Sequence, residues 1–111
     1  MNNSVLLPIR TKSPNGQHGH WSVTASRRKK ERAIAKLLCP KVPLPCVVKL
    51  TRLSAGTLDF DNLVSSCKGI RDGCADKLGV ADNDPRIEFS YGQVKGKRGE
   101  FGVFVQVERI A

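Results

Sequence analysis

The sequence predicts an α+β domain in which a mixed sheet of about four strands carries two main helices. Short segments with alternating apolar residues are separated by two longer segments whose apolar residues recur every three or four positions. The order strand, helix, strand, helix, strand, strand is typical of helices packed on a sheet. The 111 residues provide material for one core, so we expect a single domain over residues 1–111.

The amino-terminal half supplies two strands and one helix. Residues 4–9 alternate as a short strand, and residues 11–21 predict a loop because they contain proline, asparagine and glycine. Residues 26–38 show an apolar stripe opposite basic residues, which predicts an amphipathic helix. Prolines after residue 39 end this helix. Residues 46–53 carry apolar residues on both sides, so we expect a central strand there.

The carboxy-terminal half begins with a second helix. Its apolar residues recur at spacings of four, three, four and four, at Leu63, Cys67, Ile70, Cys74 and Leu78. Asp61 or Asn62 would cap its start, and Gly79 ends it. Residues 86–94 and 101–108 alternate as strands, and we expect the residues between them to join the two strands as a hairpin.

Charge is distributed unevenly along the chain. Residues 1–57 contain eleven Lys and Arg and one acid, Glu31, a net charge of +10, whereas residues 58–111 contain eight basic and nine acidic residues, a net charge of −1. A basic half suits a polyanion such as nucleic acid or an anionic membrane, and acids grouped in the other half suit a divalent metal ion. A solvated basic surface that serves solubility is the alternative.

The strongest basic cluster lies on the first predicted helix. We expect its members to bind DNA phosphates; they are Arg27, Arg28, Lys29, Lys30, Arg32 and Lys36. The preceding loop adds His18, His20 and Trp21, of which an aromatic ring can stack on an opened base step. Packing on the fold is the favoured interpretation for Trp21, and the roles of the two histidines stay open.

The cysteines and the lack of a long apolar segment bear on the compartment. Residues 1–8 contain an apolar run too short for a signal peptide, and no stretch approaches the roughly 20 apolar residues of a membrane span. We therefore expect a cytoplasmic location and no membrane partner. Reduced thiols follow from that location. With six residues between the members of each pair, core packing is favoured over zinc binding for Cys39, Cys46, Cys67 and Cys74.

Acidic residues are grouped around the start of the second helix and in the turn after it. In an extended segment, Asp59 and Asp61 would face one side while Phe60, facing the other, anchors the segment in the core. Paired carboxylates suit Mg²⁺, which takes its remaining ligands from water and phosphate. A third acid from residues 82–84 could complete the site. The alternative is that Asp-x-Asp-Asn only caps the helix.

Lys68 is the candidate cation of this site. It follows Asp61 by seven residues, which is two helical turns, so both would lie on nearly the same face. A lysine there could stabilise charge that grows on phosphorus or on the leaving oxygen. Alternatively, Lys68 and Asp72 form an exposed pair one turn apart and have no catalytic role.

These features stand in a fixed order between residues 57 and 91, about a third of the chain. Leu58-Asp59-Phe60-Asp61-Asn62-Leu63 comes first, then Lys68 with Asp72, and then Gly79-Val80 with the turn Asp82-Asn83-Asp84-Pro85-Arg86-Ile87. The combination resembles the core pattern of the RusA family of Holliday-junction resolvases. That pattern reads D-x-D-N-L, followed by a helix with a lysine and an aspartate four residues later, and by an acidic pair before a strand.

The resemblance implies roles for individual residues. Asp59 and Asp61 match the paired metal-binding aspartates, and Asp84 matches the third because it stands just before the last strand pair, with Asp82 as its close competitor. In the better-known form of the family the lysine follows two residues after D-N-L, where this chain has Ser65. Lys68 keeps the spacing to Asp72 instead, as an inserted helical turn would produce.

The resemblance also implies an activity. Family members are Mg²⁺-dependent endodeoxyribonucleases that act as homodimers, nick a four-way DNA junction symmetrically and need no small-molecule cofactor. A two-fold protein on a two-fold substrate is what isologous assembly gives. Two other functions compete with this one. A non-catalytic DNA- or RNA-binding module would use the acids only as caps and surface charges, and a zinc-binding interaction protein would use the cysteines.

Overall fold

Four strands form one mixed sheet in the computed structural model of the chain, which describes residues 3–11 and 21–110. The strands are β1 (Ser4–Leu7), β2 (Cys46–Ser54), β3 (Ile87–Lys95) and β4 (Phe101–Arg109). Their order across the sheet is β1-β4-β2-β3. The α+β class and the central position of the strand that begins at Cys46 are therefore confirmed.

The predicted hairpin between the last two strands is wrong. β3 pairs with β2 in parallel and β4 pairs with β2 in the antiparallel sense, so β2 lies between them. Residues 96–100 cross the end of β2, and the Gly96 amide donates a hydrogen bond to the Ser54 carbonyl oxygen over 2.8 Å. Two strand spacings amount to about 10 Å, which five residues can span. The arrangement gives the apolar β2 a partner along both of its edges.

Three helices accompany the sheet, namely α1 (Trp21–Leu38), α2 (Phe60–Ser66) and α3 (Lys68–Leu78). α1 begins five residues earlier than predicted. The predicted second helix is interrupted at Cys67, whose φ of −98° and ψ of 6° leave the α-helical region. Its periodic apolar residues are nevertheless all buried, as predicted: Leu63, Cys67, Ile70, Cys74 and Leu78.

The core lies between the helices and one face of the sheet. Alternate residues of the two central strands, among them Val48, Leu50 and Val105, pack against Ile70 and Cys74 of α3. All four cysteines are buried free thiols, which confirms their predicted place in the core. The opposite sheet face exposes residues such as Lys49, Phe104 and Gln106. The helices therefore cover one face of the sheet.

Several predictions fall partly or wholly beyond the described part of the chain. The predicted loop 11–21 is described at residues 11 and 21 alone, while His18, His20 and the side chain of Trp21 lie outside the described residues. The first strand ends at Leu7, two residues before the predicted end. Within residues 3–11 and 21–110, no helix has both the length and the apolar character needed to cross a membrane.

Candidate functional site

Two glycines allow α3 to lie directly against α1. A Cβ atom added at Gly69 would stand 2.7 Å from the Arg28 carbonyl oxygen, and one at Gly73 would stand 2.6 Å from the Ala35 Cβ. Real side chains cannot fit at such distances, so only glycine permits this approach. We call the surface formed by Arg28, Glu31, Ala35, Gly69 and Gly73 the helix contact.

A cleft of about 300 Å³ opens beside the helix contact, on the side of α2. We call it the basic cleft; it is lined by Arg28, Val64, Ser65, Lys68, Arg71, Asp82 and Tyr91. Three of these side chains are cationic and one is acidic. A cleft with an excess of positive charge attracts anions, because its low-dielectric walls concentrate the field.

Lys68 joins two carboxylates at the mouth of the basic cleft. Its Nζ donates to Asp72 Oδ1 over 3.0 Å and to Asp82 Oδ2 over 3.1 Å. The hydrogen bond to Asp72, and then that to Asp82, raises the pKa of Lys68. The hydrogen bond from Lys68 in turn lowers the pKa of Asp82, with support from the charge of Arg71. Lysine and aspartate are therefore both charged at neutral pH.

Arg71 fixes the turn that carries Asp82. Its Nη1 donates to the Tyr91 hydroxyl over 2.9 Å, its Nη2 donates to the Asp82 carbonyl oxygen over 3.2 Å, and its guanidinium carbon lies 4.4 Å from the centre of the Phe89 ring. Nε lies 3.3 Å from Asp82 Oδ2. Sequence reasoning gave Arg71 and Tyr91 no role, because the contact between a helix and a strand 20 residues later leaves no local pattern.

Among the three cations of the basic cleft, Arg28 forms the fewest side-chain hydrogen bonds within the described residues. Its Nε is buried and has no hydrogen-bond partner among the described residues, while its charge acts on the buried Glu31 carboxylate. It also lines a second cleft, of about 560 Å³, with Lys29, Arg32 and Asp72. Arg28 therefore lines both clefts.

The other basic residues of α1 differ in how they are held. Arg32 forms a two-bond pair with Asp76, from Nε to Oδ2 over 2.6 Å and from Nη2 to Oδ1 over 2.9 Å. Lys29, Lys30 and Lys36 are exposed, and Arg27 is half-buried. The predicted DNA-binding residues thus share one helix, with Arg28 turned to the basic cleft and Arg32 tied to α3.

The two paired aspartates do not occupy an extended segment, so that part of the prediction is wrong. α2 begins at Phe60, which makes Asp59 the N-cap and places Asp61 in the first helical turn. Asp59 Oδ1 accepts a hydrogen bond from the Asn62 amide over 2.9 Å. The helix is therefore capped by Asp59 and not by Asp61 or Asn62. Asp61 precedes Val64 and Ser65 by one turn but is not among the residues that line the basic cleft.

Gln93 positions the segment in front of Asp59. Its side-chain amide donates to the Leu58 carbonyl oxygen over 2.6 Å, and its Oε1 accepts from the Leu58 amide over 3.0 Å. These two hydrogen bonds to the Leu58 backbone fix the chain between β2 and α2 against the end of β3. The alternation of β3 predicts which side Gln93 faces, but it does not reveal its partner.

Phe60 is not the predicted core anchor. Its side chain is 64% exposed. The ring meets Tyr91 edge-on, with centroids 6.3 Å apart and an interplanar angle of 89°. The start of a helix, and not the alternation of a strand, sets its direction, which explains the error.

The two candidates for the third acid have different surroundings. Asp84 is paired with Arg86: Oδ1 accepts from the Arg86 amide over 2.9 Å and from its Nε over 3.0 Å, and Oδ2 lies 2.9 Å from Nη2. These bonds lower the pKa of Asp84 to about 2. Asp82, in contrast, lies in the basic cleft beside Lys68.

Within the described part of the chain, the acidic residues do not form a closed set of metal ligands. No three His, Cys, Asp or Glu side chains within residues 3–11 and 21–110 converge on one ion position. Mg²⁺ needs only one or two carboxylates, since water and substrate phosphate supply its other ligands. The carboxylate of Asp82 lines the basic cleft and has the right chemistry for such a site, whereas Asp61 is not among the residues that line the cleft. The metal site remains a prediction.

Comparison of the chain with protein-family models, with curated proteins and with solved structures finds no match.

Proposed function

We propose that the chain is a Mg²⁺-dependent endodeoxyribonuclease that cuts branched DNA at a four-way junction, as the resemblance to the RusA family implies. The observation that supports this most is the hydrogen bond between Lys68 and Asp82. These residues belong to separate parts of the RusA-like pattern, 14 positions apart in the chain, and they meet in a cleft that Arg28 also lines.

The carboxylates would hold the metal ion. We assign this role to Asp82, with Asp61 as the second carboxylate that the resemblance implies, whereas Asp59 caps α2. We prefer Asp82 to Asp84 because Asp82 lines the basic cleft and Asp84 does not. A bound Mg²⁺ supplies an activated water and stabilises the leaving oxygen. The hydrogen bond from Lys68 lowers the pKa of Asp82, so a metal ion at Asp82 would compete with Lys68 for this carboxylate.

The cationic residues bind and orient the substrate phosphate. Arg28 presents guanidinium donors, and guanidinium groups bind phosphate oxygens in pairs. Lys68 supplies a positive charge beside Asp82, where it can balance the charge that develops on phosphorus. Arg71 is a positioning residue, since its bonds to Tyr91 and to the Asp82 backbone keep the acidic turn against the cleft.

The remaining basic residues of α1 would hold the DNA backbone without base recognition, as a nuclease that recognises structure requires. The protein would act as a homodimer, with one site for each of two strands of the junction. We expect sedimentation in the presence of junction DNA to show a dimer.

Incubation of the purified protein with a synthetic four-way junction, with and without Mg²⁺, tests the proposal. We expect two symmetric nicks that depend on the metal. Asp82→Asn should lower the cleavage rate by several orders of magnitude, because it removes a charged ligand and keeps the shape. Asp84→Asn is the matched control, and it should cut at a rate close to that of the parent.

The two variants also separate the possible outcomes. A folded Asp82→Asn protein that cuts at the parental rate contradicts the assignment of the site. Greater loss in Asp84→Asn than in Asp82→Asn would return the role of third ligand to Asp84. Asp61→Asn should resemble Asp82→Asn.

A non-catalytic nucleic-acid-binding module is the second candidate. It is favoured by the cation partners of both turn aspartates, Lys68 for Asp82 and Arg86 for Asp84. Such a module would bind DNA with strong dependence on salt and would show no metal-dependent turnover. The junction assay distinguishes it from the nuclease directly.

A further inference from the structure

Phe60 is an exposed aromatic side chain that contacts Tyr91, one of the residues that line the basic cleft. The ring is 64% exposed. It stands between Asp59 and Asp61, and it precedes Val64, which lines the cleft, by one helical turn. Core packing therefore does not explain a large apolar side chain at this position.

Tyr91 supports the Phe60 ring in its orientation. Phe60 meets the edge of Tyr91, and the Tyr91 hydroxyl accepts a hydrogen bond from Arg71 over 2.9 Å. Arg71 also lies over Phe89, with 4.4 Å between its guanidinium carbon and the ring centre. A side chain with this support needs little reorganisation to present its free face to a ligand, which favours binding.

The surroundings of Phe60 indicate which ligand suits it. The basic cleft is lined by Arg28, Lys68 and Arg71 as well as by Tyr91. These cations would attract a nucleic-acid backbone to a position separated from the Phe60 ring by about one side chain. Proteins that bind unpaired nucleotides combine such a basic groove with aromatic side chains that stack on the bases. The two elements occur here side by side.

We infer that Phe60 stacks on a nucleobase left unpaired at the branch point of the DNA. This inference rests on the proposed function. A base within a continuous duplex has neighbours on both faces, whereas a base at a branch has a free face that an aromatic ring can cover. Phe60 therefore contributes to the preference for branched over linear DNA.

Binding measured in EDTA tests the inference without any cleavage. The probes are a synthetic four-way junction with 2-aminopurine next to the branch and a linear duplex of the same sequence. Phe60→Ala should weaken junction binding by about 10- to 100-fold, the range for loss of one stacked base, and should leave duplex binding unchanged. Phe60→Tyr should restore junction affinity, and Phe60→Leu should restore little of it. The parent should change 2-aminopurine fluorescence more than Phe60→Ala does at saturation.

Phe104→Ala is the matched control, because Phe104 is an aromatic residue on the uncovered sheet face and is 41% exposed. It should bind both DNAs as the parent does. Unchanged junction affinity in Phe60→Ala overturns the inference, and so does equal loss on junction and duplex. A change in the sedimentation of DNA-free protein in Phe60→Ala would also overturn it, since the ring would then cover a second copy of the chain.

The inference and the proposed function can fail separately. If Phe60→Ala weakens junction binding in EDTA but the protein never cuts with Mg²⁺, base stacking is supported and the nuclease function is contradicted. A protein that cuts junctions while Phe60→Ala binds them normally supports the nuclease and removes base stacking.

Discussion

The helix contact and the basic cleft share Arg28 but are built in opposite ways. At the helix contact, glycine brings backbone against backbone, and Ala35 and Ile70 are fully buried around it. In the cleft, charged side chains surround an open space, and Arg28 Nε has no hydrogen-bond partner among the described residues. The helix contact holds α1 and α3 together, and the basic cleft contributes little to that association. Mutations in the two regions should therefore separate stability from function.

The largest effect on stability is expected at Gly73. In Gly73→Val, the new side chain would overlap the Arg32 carbonyl oxygen and the Ala35 Cβ, so α1 and α3 must move apart. The free energy of unfolding should fall by about 3 kcal/mol, as overpacking a rigid contact does. Urea unfolding followed by circular dichroism measures this. Gly56→Ala is the control, since nothing lies within 4 Å of its added Cβ; a comparable loss there would break the comparison.

Glu31 should give an intermediate effect that depends on pH. Its side chain is 4% exposed and its Oε1 has no hydrogen-bond partner among the described residues. Burial raises the pKa of Glu31, although the charges of Arg27 and Arg28 oppose the shift. Glu31→Gln removes the buried charge, so the variant should exceed the parent in unfolding free energy by on the order of 1 kcal/mol at pH 8.

The sign of the pH dependence follows from the raised pKa of Glu31. Below the unfolded pKa of about 4.5 the carboxyl is protonated in both states. As pH rises, the unfolded state loses its proton first, so the parent loses stability until the pH passes the folded pKa. Denaturation curves between pH 4 and pH 8 should show this decrease in the parent relative to Glu31→Gln. Parallel curves would show that Glu31 is not desolvated.

The smallest expected effect is on the salt dependence of DNA binding. Arg28→Gln should lower the slope of log affinity against log salt by about 0.9 if the guanidinium neutralises one phosphate. Lys49→Gln, on the exposed face of β2, is the control and should leave the slope unchanged. An unaltered slope in Arg28→Gln would place the DNA away from the cleft.

Local patterns in the sequence predicted much of the fold. Alternation located the strands, and the spacing of Leu63, Ile70 and Leu78 identified the buried helical face. The central place of β2 followed from its two apolar sides. The pairing of β3 and β4 could not be predicted in this way, because a five-residue connection permits either a hairpin or a crossing over β2.

The site was less predictable because it depends on where one helix begins. The sequence Asp59-Phe60-Asp61 is compatible with an extended segment and with a capped helix. The extended segment would direct Phe60 inward, whereas the capped helix directs it outward. The partners of Asp82 and Asp84 likewise depend on the path of a turn. Lys68 was chosen from its spacing to Asp61, and the exposed pair with Asp72, which was the alternative to a catalytic role, is present in the structure.

The topology of the sheet has a consequence for the speed of folding. Each strand pair of the described chain joins segments more than 40 residues apart, such as Cys46 with Ile87 and Ser4 with Gln106. Loop-closure entropy must be overcome before such pairs stabilise anything, which places folding in the slower, millisecond-to-second range. On the ribosome, β2 emerges with two unsatisfied edges and has no strand partner until residues 87–109 are made. During that interval its apolar surface is available to chaperones and to aggregation.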